Sequence, residues 1–69
     1  MADYHPSVQH VLNFFTYAHL PPHLQAVSKP FADLAYKVAD ASSNAETTVA
    51  LRKLLESKDA AVRAVLIDD

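Results

Sequence analysis

Not one of the 69 residues is glycine, and that absence narrows the architecture more than any motif in the chain. Tight two-residue hairpins need the positive φ that glycine supplies, so a meander or barrel of short strands is disfavoured. Gly-rich phosphate loops are excluded on the same ground. Apolar residues at helical spacing take the place of strands. Val8, Val11, Leu12 and Phe15 share one face and predict a first helix over about residues 6–15. Pro6 suits its first turn, and a helix this short depends on tertiary contacts.

Leu24, Val27, Phe31, Leu34, Val38 and Ala41 alternate steps of three and four, which predicts a second helix over about residues 21–41. Pro30 interrupts this pattern, removing one backbone donor and crowding the carbonyl of Ala26. Two readings follow: one helix kinked near Val27 to Lys29, or a single turn ending before Ser28 with a new helix beyond it. The unbroken stripe favours the kinked helix. Asp40 to Asn44 is a polar turn, and Ser43 followed by Glu46 has the form of a capping box. A third helix over about residues 44–67 then carries Leu51, Leu54, Leu55, Ala61, Val62, Val65 and Leu66 on a broad apolar face. The short turn makes the last two helices an antiparallel hairpin. The expected fold is therefore all-α, a single domain of a short helix followed by a helical hairpin.

Such a chain buries a modest share of its surface, and small domains compensate with disulfides, metals or association. There is no cysteine, which removes disulfides and thiolate zinc sites together. With 51% hydrophobic residues, the apolar surface exceeds what one copy can cover. A symmetric homo-oligomer is expected.

The net charge of −2 argues against a DNA- or RNA-binding module, which carries a basic excess. No apolar run approaches a membrane span and no leader pattern opens the chain, so a soluble, cytoplasmic protein without membrane contact is expected. Lys29 and Lys37 flank Asp33, Arg52 precedes Glu56 and Asp59 precedes Arg63, as on a solvated helix surface. Lys53 and Lys58 lack such a partner and are better placed to meet a phosphate. His19 and His23 have a zinc-binding interval, but Pro21 and Pro22 lie between them and no further ligand completes a set. Neither a metal nor another cofactor is expected. No Ser-His-Asp arrangement, paired carboxylates or nucleotide loop is present, so the chain does not read as an enzyme.

One segment stands out against this background. Phe14-Phe15-Thr16-Tyr17-Ala18-His19 puts aromatic rings, a hydroxyl and an imidazole where the chain leaves the first helix. Loop groups on a rigid scaffold are a common place for function, and a tyrosine beside a histidine suits a nucleobase with its phosphate. The structural alternative makes Phe14 and Phe15 core and leaves Tyr17 to close the turn.

At Phe15-Thr16-Tyr17, with His19 after it, and again at Ala50-Leu51-Arg52-Lys53-Leu54-Leu55-Glu56, the chain resembles the small phage proteins that act as anti-CBASS and anti-Thoeris cyclic-nucleotide sponges. Their shared helical-hairpin pattern is an aromatic-Thr-Tyr-His start, an Ala-rich helix, a turn, and a helix opening on Ser-x-Glu and Ala-Leu-x-Lys-Leu-Glu. Phe31 to Ala35 looks like the middle of the first hairpin helix, Asn44-Ala45-Glu46 stands at the Ser-x-Glu element, and Ala60 to Ala64 looks like the tail. An alanine separates Tyr17 from His19, Pro30 falls inside the helix, and Ala45 stands where a basic residue is common.

The resemblance implies a homo-oligomer of hairpins, a hexamer built as a trimer of dimers in some members. It also implies sequestration, without cleavage, of cyclic di- and trinucleotides or cyclic ADP-ribose isomers in the host cytoplasm. Tyr17 would stack on a base, His19 would donate a hydrogen bond, and Lys29, Lys53 and Arg52 would meet phosphates. The reading that needs no ligand is a small helical assembly protein using its apolar surplus to bind another chain.

Overall fold

The structure, a computed structural model, describes residues 4–67. Helix α1 spans Pro6–Leu12, tightens into a 3-10 turn over Asn13–Phe15, and is followed by α2, Pro22–Ala41, and α3, Ala45–Ile67. No strand occurs among the described residues, and the three helices pack together, α2 most extensively against α3. No helix among them is long and apolar enough to cross a membrane.

Local chemistry explains where the helices start. His5 caps α1, its Nδ1 accepting from the Ser7 backbone N–H at 3.2 Å, and Pro6 occupies the first turn. Pro22 opens α2 in the same way, and the Pro21 carbonyl accepts from Leu24 and Gln25. Pro30 lies inside an α2 that runs as one element, in line with the single-helix reading.

The cap of α3 falls one residue later than Ser43 and Glu46 suggest. Asn44 Oδ1 accepts from the Thr47 backbone N–H at 3.1 Å, and Thr47 Oγ1 accepts from the Asn44 N–H at 3.2 Å. Burial decides the register. Thr47 is 3% exposed, so its hydroxyl needs partners within the fold and finds Ser42 Oγ as well, at 2.8 Å. Glu46 sits in solvent and has no such need. Asn44→Ala removes the side-chain acceptor of the Thr47 backbone N–H and so the cap; a loss of about 1–2 kcal/mol is expected in urea unfolding. Ser43→Ala is the control and should change stability by less than about 0.5 kcal/mol.

Val8, Val11, Leu12 and Phe15 are all buried, as their spacing predicts, and they form the core with Ala32, Ala35, Ala39 and Leu51. The inner face of α2 differs from the expected one. Of the six stripe residues only Leu24 is buried. The face turned to the core is instead Leu24, Ser28, Ala32, Ala35 and Ala39. These side chains lie about a quarter-turn from the Val27, Phe31, Leu34 and Val38 stripe. Small residues let the helix axes approach closely, which the larger stripe would prevent. Val27, Phe31 and Val38 are left half-buried on the flank, and Leu34 is 48% exposed.

On α3, Thr47 and Leu51 are buried, and Leu54, Leu55, Ala61 and Val62 are half-buried. Val65, Leu66 and Ile67 face solvent. The radius of gyration is 12.5 Å, above the roughly 11 Å of a compact domain of this length. A slender body with open apolar flanks results.

Candidate functional site

The aromatic segment divides by residue. Phe15 is core at 2% exposure, while Phe14 is 55% exposed and meets His10 edge-on at 5.4 Å. The expectation that both are core therefore holds for Phe15 alone, because the 3-10 turn aims consecutive rings in different directions.

Beyond it the chain is held as a defined turn. Thr16 Oγ1 donates to the Asn13 carbonyl at 3.0 Å, and the Leu20 N–H donates to the Tyr17 carbonyl at 3.0 Å. Gln25, from the first turns of α2, donates through Nε2 to the Leu20 carbonyl at 2.7 Å and lies 3.3 Å from that of Ala18. A single α2 side chain thereby fixes the segment that carries Tyr17 and His19.

Two clefts lie on either side of Thr16, which lines both. The first encloses about 290 Å³ between Tyr17, Ala18, Ala32 and Tyr36. Tyr17 is half-buried and packs against the core, so its ring is held in place. Tyr36 is propped by the Tyr4 ring, 6.2 Å away, and Tyr4 is anchored by a 2.6 Å hydrogen bond from its hydroxyl to Asp40. That bond, followed by burial and the nearby Asp40 and Tyr36 charges, holds the Tyr4 phenol above its usual value. Lys29 pairs with Asp33 at 2.8 Å. The Asp33 bond and charge raise its affinity for the proton, with a smaller contribution from the neighbouring Tyr17. The first cleft thus presents two rings, and no lysine or arginine is among its lining residues.

The second cleft, about 250 Å³, contains His19 together with Phe14, Ser28, Lys58, Asp59 and Arg63. A third hollow between the start of α1 and the α2–α3 turn is lined by His5, Ser7, Asn44 and Thr48, without a lysine, arginine or carboxylate.

The sequence candidates are therefore dispersed within one chain. Tyr17 and His19 line different clefts, and Lys29, paired with Asp33, lines neither of them. Arg52 and Lys53 also line neither. They follow Leu51, the fully buried anchor of α3, by about 100° and 200° of helical rotation, so both face solvent. Lys53 lies 3.8 Å from Glu56, the carboxylate expected to pair with Arg52, and Asp59 takes Lys58 at 2.9 Å in place of Arg63. Both lysines singled out as unpartnered therefore have acidic neighbours. Helical spacing alone does not choose between i+1, i+3 and i+4 partners, because long side chains reach all three.

Tyr36 and Ser28 line the clefts and Gln25 braces the turn between them, and nothing in the sequence marks these three. Lys58 was singled out by its missing partner, but nothing local ranked it above Lys53. Among the described residues, no group of three His, Asp or Glu side chains is placed to hold a metal ion. No protein-family model, curated protein or solved structure matches the chain.

Proposed function

We propose that this protein binds and sequesters cyclic di- or trinucleotides or cyclic ADP-ribose isomers without cleaving them. The reading extends to architecture: α2 and α3 act as an antiparallel hairpin, and copies associate into a symmetric homo-oligomer, with a hexamer favoured. The observation that carries it is the open cleft walled by Tyr17 and Tyr36. The two rings offer stacking surfaces to bases. The residue pattern shared with the sponges points to the same ligand class. In this reading Arg52 and Lys53, which face away from their own chain's clefts, meet the ligand from a neighbouring copy.

Calorimetry against cyclic dinucleotides, cyclic trinucleotides and cyclic ADP-ribose isomers is the direct test. Binding below about 100 μM is expected for one class. Tyr17→Ala and Tyr36→Ala should each weaken it by about tenfold or more, from the loss of roughly 1–3 kcal/mol of stacking per base. Recovery of intact ligand after heat release distinguishes sequestration from hydrolysis. An absence of binding across the panel would overturn the reading.

The dispersal of the cations on a single chain favours a second reading, a helical assembly protein without a small ligand. Tyr17→Ala separates the two. Under sequestration it removes a measured ligand and leaves the oligomer; under pure assembly it alters stability or the oligomer, and there is no ligand to lose.

A further inference from the structure

We infer that the second cleft, between the Phe14 turn, α2 and α3, is a binding site for a phosphate group carried on an apolar organic moiety. Ser28 is the first indication. It lines the cleft and is 2% exposed, and its Oγ finds no hydrogen-bond partner among the described residues. Buried hydroxyls are nearly always paired, so an unpaired one in a residue that lines a cleft marks this wall as unusual.

Lys58 is the second. Its side chain is only 14% exposed, unusual for a residue type that normally keeps its head in water. Nζ donates to the Phe14 carbonyl at 3.1 Å and to Asp59 Oδ1 at 2.9 Å. An ammonium has three protons, so one remains beyond those two contacts.

Charge selects the ligand. Lys58 and Arg63 bring two positive charges to the cleft and Asp59 one negative charge, and no other carboxylate lines it. The cleft is therefore locally positive on a chain whose net charge is −2. Asp59 uses one lysine proton and leaves the guanidinium of Arg63 to contribute a planar fork suited to phosphate oxygens. Phe14, Leu20 and Val62 supply apolar walls, which favour a phosphomonoester over the bare ion. This site is separate from the Tyr17 cleft and does not depend on the sequestration reading.

The test is amide-resonance titration of the full chain with inorganic phosphate and, separately, with phenyl phosphate, at constant ionic strength. Saturable shifts are expected at Ser28, Lys58 and Arg63, reached at lower concentration with the monoester. Lys58→Met should weaken binding by about tenfold or more, the scale of a charge-assisted hydrogen bond. Ser28→Ala guards against a folding artefact. It removes an unpaired hydroxyl, so the melting temperature should hold or rise while binding falls by about threefold or more. Lys37→Met, on the outer surface of α2, should bind like the parent.

Shifts with inorganic phosphate alone would overturn the organic moiety and leave a site for the free anion. An absence of saturable shifts up to about 10 mM of either probe, or unchanged binding in both Ser28→Ala and Lys58→Met, would overturn it. Cyclic-nucleotide binding that is lost in Tyr17→Ala and kept in Ser28→Ala would leave the two clefts separately assigned.

Discussion

Phe15→Ala is expected to leave the chain largely unfolded at room temperature. The ring is 2% exposed and sits in the one core cluster, among residues of α1, α2 and α3. Replacing a buried phenylalanine with alanine costs about 3–5 kcal/mol. A domain of this size has roughly 3–10 kcal/mol of stability in total. The loss is thus comparable with the whole, and much of the far-UV circular dichroism should go with it. Phe14→Ala is the matched control. That ring is 55% exposed, and its edge contact with His10 is worth about 1 kcal/mol. A folded Phe15→Ala with near-parent stability would mean that the core is not organised around this ring. Because Phe15 lines the Tyr17 cleft and Phe14 the Lys58 cleft, the pair also separates loss of fold from loss of a wall.

Leu34→Glu should do the opposite, keeping the helices and breaking the assembly. Leu34 is 48% exposed and lies between half-buried Phe31 and Val38 on the open flank of α2. A glutamate there meets water in a monomer, so helicity should be unchanged. In an assembly that covers the flank, it would bury an unpaired charge. Association should weaken by at least about thirtyfold, the consequence of losing a hot-spot contact of about 2 kcal/mol. Sedimentation at micromolar concentration reads the result: an oligomer for the parent and a monomer for the variant. A parent chain that is itself a clean monomer would remove the assembly and the trans role of Arg52 and Lys53 together. The Tyr17 and Lys58 clefts would remain to be judged on their own tests.

These two substitutions also mark where local information ends. Helix positions were readable because their causes are local. Pro6 and Pro22 tolerate first turns, the absence of glycine discourages tight hairpins, and periodic apolar residues mark all three helices, the first of which gives way to a 3-10 turn after Leu12. The α1 face was readable for the same reason, since Val8, Val11 and Leu12 are its apolar residues and all are buried, as is Phe15 in the turn that follows.

Helix α2 has two usable stripes, one large and one small, and periodicity could not choose between them. Close packing chose the alanines, because the approach of α1 and α3 depends on side-chain volume at the contact. That rotation left Leu34 outside and turned Ser28 into the wall of a cleft. The α3 cap and the lysines follow the same logic. Asn44 became the cap because Thr47 is buried, and Lys58 entered a cleft while Lys53 faced water because Leu51 sets the angle of α3. By itself the sequence determined which segments are helical and where they begin. Only the tertiary structure decided which side of α2 and α3 is inside, because that depends on the shapes of segments distant in the chain.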